Sequence, residues 1–198
     1  MFPSAVARMP PMALTSGMRN VRFRIALVLV PLSSLGVATA QNPADIAYLQ
    51  NGVRGIAPTY QGSSLVVFGE QAFPVVNGRS RWGVLEPMVA GARMGKGRIV
   101  VMGFTDAMEH DGLQIGDTAR MLTNTMRWAS GEKIAPKIGV CKIPGLASRL
   151  KGLDVDARDI DLSDRNRVDT IVILARTVMA QDVALLAEYV RKGSGPRH

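Results

Sequence analysis

The sequence predicts an α/β domain of three layers, a mostly parallel sheet with helices on both faces and one β-hairpin inserted. Three observations predict it. Short apolar runs around Leu65–Phe68, Lys137–Cys141 and Asp169–Ala175 have the length and continuity of buried strands. Segments of helical period separate them. Finally, 198 residues that are 47% hydrophobic and 20% charged can bury a core, which excludes a disordered chain.

The first forty residues read as an address. Arg19, Arg22 and Arg24 precede an apolar stretch from Ile25 to Val30, continued through Pro31 and Leu32 towards Val37, and Ala38-Thr39-Ala40 forms a small-x-small cleavage site. A positive segment, a short apolar segment and such a site make up a secretory signal. Pro31, Ser33, Ser34 and Gly36 interrupt the stretch, which falls short of the roughly 20 residues that span a bilayer. The expectation is a Sec-type signal over residues 1–40, cleaved after Ala40, and a secreted or periplasmic domain over residues 41–198 with no stable membrane anchor. An uncleaved anchor is the alternative, and Met18 is a second candidate start. Cleavage removes Arg8, Arg19, Arg22 and Arg24 and no acid, leaving 20 basic against 16 acidic side chains, so the formal charge falls from +8 to +4. That excess is too small and too spread to indicate a nucleic-acid partner.

After the leader, Ile46, Leu49 and Val53 lie at helical spacing behind Pro43, which predicts a helix over Asp45–Val53. Leu65-Val66-Val67-Phe68, closed by Gly69, predicts a strand buried on both faces. Ala72–Val76 is a second extended piece, confined by Pro74 to an edge or an irregular segment, and residues 77–83 read as a loop. Met88–Ala92 and Arg98–Met102 flank Met94-Gly95-Lys96-Gly97, whose glycines suit a tight hairpin turn. Asp117 can cap a helix running to Ser130, with Leu122, Met126 and Ala129 on one face and Gly131 as its stop. Lys137–Cys141 and Asp169–Ala175 are strands; between them lie a short helix at Leu146–Leu150 and a weak strand at Val155–Ile160. Thr177 or a neighbour opens a last helix, with Val183, Leu186, Ala187 and Val190 as its buried stripe before Gly193. A crossover normally returns to the sheet after such a helix. The expectation is therefore a domain incomplete at its C-terminal end; the alternative is that the helix closes the fold.

Several of these segments resemble a known family. Val66-Val67-Phe68-Gly69 followed by Ala72-Phe73-Pro74-Val75-Val76, the hairpin Gly95 to Gly103, the helix end Asn124-Thr125-Met126-Arg127-Trp128-Ala129, and Asp169–Leu174 leading into Gln181-Asp182-Val183 are similar to a class I glutamine amidotransferase-like domain. It is the version found in front of enhancin-like, mucin-directed zinc peptidases and in channel-associated factors. The resemblance covers about residues 45–193 and implies a flavodoxin-like layered fold. It also implies a binding or scaffold role, with a downstream peptidase domain or an extracellular glycoprotein as partner.

The residues themselves offer little chemistry. A His-Glu-x-x-His helix is absent: Glu109-His110 has the order reversed and lacks the second imidazole. One cysteine and two histidines are too few for a cysteine or multi-histidine metal site, and no cofactor is expected. Gly91 to Gly97 fails as a phosphate loop, because three residues separate Gly91 from Gly95-Lys96 and Gly97 stands where magnesium needs a hydroxyl. Cys141 follows a strand with Gly139 two before it, but branched Ile143 stands where an exposed nucleophile needs a small neighbour. Its alternatives are a small buried core residue or the nucleophile of a hydrolase paired with His110. Thr105, Asp106, Glu109 and His110 lie past a strand end, where α/β sheets bind ligands; with Glu70 and Arg176 at other strand ends they form a candidate ligand rim, and a merely solvated loop is the alternative. The leading expectation is an exported, non-catalytic module; the others are a cysteine hydrolase and a remnant of a disrupted gene.

Overall fold

The structure, a computed structural model, describes residues 43–56, 63–79, 82–105, 108 and 111–193. The expected leader lies outside them. The first helix, α1 (Pro43–Leu49), ends in a turn whose Gly52 has φ +69°, four residues short of the predicted end at Val53. Next comes an antiparallel sheet of β1 (Ala72–Arg79), β2 (Leu85–Met94) and β3 (Gly97–Met102), in that order. The predicted hairpin is present: Met94 pairs with Gly97 around Gly95 and Lys96, and Gly95 takes φ +62°. β1 is an edge strand with register shifts beside Pro74 and Val76, as a residue without an N–H requires.

The second half is parallel. α2 (Thr118–Ala129) leads to β4 (Ile138–Cys141), α3 (Leu146–Lys151), β5 (Ala157–Asp159), a 3₁₀ turn at Leu162–Arg167, β6 (Thr170–Ile173), a second turn at Ala175–Thr177, and α4 (Ala180–Lys192). The strand order is β5-β4-β6, all parallel. The strands thus divide between two three-stranded sheets, and a single parallel sheet is not formed among the described residues. Loop length explains the division. The links of five residues between β1 and β2 and of two between β2 and β3 allow only antiparallel neighbours, and the first crossover long enough for parallel pairing is the one through α2.

One predicted strand is corrected. Leu65–Phe68 is extended but belongs to neither sheet, and its burial alternates, with Val66 86% and Phe68 72% exposed. It lies where β3 leaves the sheet: the Ser63 N–H donates to Gly103 O (2.7 Å) and the Leu65 N–H to Pro87 O (2.8 Å). It is therefore covered on one side rather than two.

α2 packs into both cores. Met121 and Trp128 join Leu49, Phe73, Val75 and Val89 against the antiparallel sheet, whereas Leu122 and Met126 join Ile138, Val140, Leu146 and Leu150 against the parallel one. Gly131 (φ +78°) ends the helix as expected. Asp117 does not cap it: its carboxylate instead accepts the Arg54 N–H at 2.8 Å, which lowers its pKa. The stripe predicted for α4 holds at Leu186, Ala187 and Val190, which are half-buried, but not at Val183. Val183 is exposed and Asp182 buried, because the helix is set by Tyr189 donating to Val168 O (3.0 Å) and by the Lys96 N–H donating to Arg191 O (3.2 Å).

Buried Asp45 fixes α1 to this frame. It accepts two hydrogen bonds from Arg93 (both 2.7 Å) and one from Trp128 Nε1 (2.9 Å). The Arg93 and Arg98 guanidinium groups stand 5.9 and 5.1 Å from the Trp128 ring centre, and Phe73 meets that ring edge-on at 5.9 Å. Burial works to raise the Asp45 pKa, but the Arg93 and Trp128 hydrogen bonds outweigh it, and the net shift is downward from 3.8. A group depressed in this way stabilises the fold above its ordinary pKa and loses that contribution as pH falls through the lowered value. Asp45→Ala should therefore cost about 2–4 kcal/mol at neutral pH. Denaturant melts of wild type and Asp45→Asn should begin to approach each other as pH falls below 3.8, the ordinary value, and meet only below the lowered one.

Candidate functional site

The three described members of the sequence-predicted rim lie beside different sheets. Glu70 lies exposed in the turn that enters β1, Thr105 is exposed after β3, and Arg176 is exposed in the turn after β6. The first two flank antiparallel strands and the third a parallel one, so the shared carboxyl edge that was to unite them does not exist. Asp106, Glu109 and His110 lie outside the described residues.

The carboxyl ends of β4 and β6 are built differently from a catalytic crevice. Cys141, 1% exposed, sits at the end of β4 among buried apolar side chains, and burial pushes its thiol pKa up. Lys142 follows in the left-handed region (φ +58°), which aims its chain across the sheet end. Its Nζ donates to Thr177 O (3.1 Å) and to Asp182 Oδ2 (3.3 Å). Asp182 also accepts the Met179 N–H at 3.0 Å, closing the first turn of α4, and its pKa is lowered first by that hydrogen bond. Lysine and carboxylate thus tie the β4 and β6 loops together. No cluster of three or more histidine, cysteine, aspartate or glutamate side chains capable of holding a metal occurs among the described residues.

The surface feature that stands out is apolar. Val66 and Phe68 extend from the margin of β2, fixed by the Leu65–Pro87 hydrogen bond and by Ser64 donating to Glu86. Trp82 (76% exposed), Val84 and Leu85 lead into the same end of β2, and Val101 is exposed on β3. Sequence reading placed Val66 and Phe68 in a core and Trp82 in a loop. A four-residue apolar run does not say which of its faces is covered, so the signal for an exposed rim was present but ambiguous.

Comparison with family models gives a match to TCAF_N, the TRPM8 N-terminal domain model, over residues 18–196. The chain belongs to this family. Its family name is that of the TRPM8 channel-associated factor N-terminal domain. The match replaces the amidotransferase resemblance: neither an amidotransferase nor a peptidase-associated family is found, and the glycine turns and apolar strands that carried the likeness serve here an ordinary hairpin and a small parallel sheet. Comparisons with curated proteins and with solved structures give no match. No helix among the described residues is long and apolar enough to cross a membrane.

The burial of Cys141 makes a direct prediction. In the native protein at pH 8 a thiol reagent should label it at least about tenfold more slowly than a free thiol, with full labelling on denaturation. Rapid native labelling would place the sulfur at the surface.

Proposed function

We propose that this chain is a non-catalytic partner-binding module whose docking face is the apolar rim at the start of β2. The observation that carries the reading is the exposure of Val66, Phe68, Trp82 and Leu85, the first two beside the Leu65–Pro87 backbone hydrogen bond and Leu85 paired with Arg79 in the β1–β2 ladder. Large exposed apolar side chains on a fixed frame mark interaction surfaces. Membership of the channel-associated factor family supports a membrane channel as the partner. The closed, ion-paired ends of β4 and β6 favour binding over catalysis as the task of this domain.

The test is capture of an integral membrane channel from solubilised membranes by the full chain. Phe68→Ser combined with Trp82→Ser should cut capture at least about tenfold, as loss of aromatic anchors does, while leaving the thermal midpoint within about 2 °C. Equal capture by wild type and variant would remove the rim from the binding face.

The same reading includes export. The arginines, the apolar stretch and Ala38-Thr39-Ala40 support a signal over residues 1–40 and a working domain over residues 41–198. N-terminal sequencing of protein recovered outside the cytoplasm should begin at Gln41. A chain that keeps Met1 or Met18 inside the cell would refute export.

A further inference from the structure

The parallel sheet treats its two edges differently. β5 is three residues long and carries exposed Arg158 and Asp159, the short charged edge that discourages strand pairing. β6 on the opposite edge reads Thr170-Ile171-Val172-Ile173, without charge or proline and with an unbroken register to β4. The direction of its backbone groups follows from the central strand. The Ile138 N–H donates to Asp156 O, and Val140 O accepts the Ile160 N–H, so both residues face the β5 side. Gly139 and Cys141 therefore face β6. With Gly139 beside Ile171 and Cys141 beside Ile173, parallel pairing turns Thr170 and Val172 inward and leaves the N–H and C=O of Ile171 and Ile173 facing out. No partner meets them among the described residues.

We propose that this edge is a dimer seam, on which a second copy of the chain adds its own β6 antiparallel across a two-fold axis at Val172. That register sets Ile171 opposite the partner's Ile173, so each outward N–H finds an outward C=O and all the open groups of both strands are used. The four residues carry no charge, so self-pairing sets no like charges against each other. The guarded β5 edge stops growth, and the assembly closes as a two-fold dimer rather than a filament. A four-residue seam is smaller than the roughly 800 Å² per partner of a standard interface, so the dimer is weak and depends on concentration.

Sedimentation equilibrium of the purified full chain, from low to high micromolar concentration, tests this. Dimerisation that weakens at least about tenfold in both Ile171→Pro and Ile173→Lys is expected. The proline removes an outward N–H without touching the β4 ladder, and the lysine brings charge to the seam. Circular dichroism checks the fold; if the proline variant fails to fold, the lysine variant decides. Amide exchange at Ile171 and Ile173 should slow as concentration rises. A monomer at every concentration would overturn the proposal, as would a dimer indifferent to both changes. So would amides already protected in the monomer, which would mean that another part of the chain covers the edge. A dimer lost on Phe68→Ser instead would move the seam to the apolar rim; capture of a channel through Phe68 reads that separate surface and can fail or succeed independently.

Discussion

One helix has to serve two cores, and the rest of the fold is arranged around that requirement. Successive residues on a helix point about 100° apart, so neighbours Met121 and Leu122 face different ways, and each begins a stripe. Met121 continues to Trp128 a heptad on, and Leu122 to Met126 one turn on. The first stripe seals the antiparallel sheet and the second the parallel one. Both sheets also bond to the helix backbone: Arg98 of β3 donates to Trp128 O at 2.9 Å, and the Thr170 hydroxyl of β6 donates to Met126 O at 3.3 Å. The end of α2 is thus where two otherwise separate ladders are held at a fixed spacing. An average helix with one apolar stripe would leave one of the sheets with an uncovered face.

That arrangement puts Trp128 at a junction, and an indole at a junction needs a partner for its N–H. Asp45 supplies it, which explains why a carboxylate is buried so far from any site of reaction. Three hydrogen bonds and a facing guanidinium keep the ion charged in a place where burial alone would neutralise it. The flanking arginines are half-sheathed by the ring they stack on, so the polar network adds packing as well as charge. The ion pair thereby sets α1 against β2 with a directionality that apolar contact lacks.

Legibility in the sequence followed how local each determinant was. The β2–β3 hairpin was readable because Gly95 requires a positive φ within a two-residue turn, and the α2 stop because Gly131 does the same. The short parallel strands were readable because β4 and β6 are apolar on both faces. Leu65–Phe68 is as uncharged and continuous a run as β6 and has a different fate; what separates them is whether a second element arrives to cover the run, a tertiary fact with no local trace. The Asp117 cap misled for a related reason, since its carboxylate found the Arg54 N–H sixty-three residues away instead of its own helix. Of the candidate rim, exposure of Glu70, Thr105 and Arg176 was foreseeable from charge and polarity, but their convergence rested on one continuous parallel sheet. Once Glu70 and Thr105 fall beside antiparallel strands, that geometry is lost.

The place where a parallel sheet ordinarily offers ligands is the crevice beyond the strand ends where neighbouring connections diverge. Here those strands are β4 and β6, and the crevice is taken up by the chain itself. Lys142, bent into a left-handed backbone conformation, spends its ammonium on Thr177 O and Asp182, and Asp182 spends its other contacts on the first turn of α4. Cys141 beside them faces inward and is held in its neutral form by burial. A lysine, a carboxylate and a thiol gathered at these strand ends could pass for reactive machinery, yet the lysine and carboxylate are committed to holding two loops and a helix start, and the thiol is buried. With that crevice closed by its own side chains, the described surfaces proposed for work are those where backbone or apolar groups remain uncovered: the Phe68 and Trp82 rim of one sheet and the uncharged edge of the other.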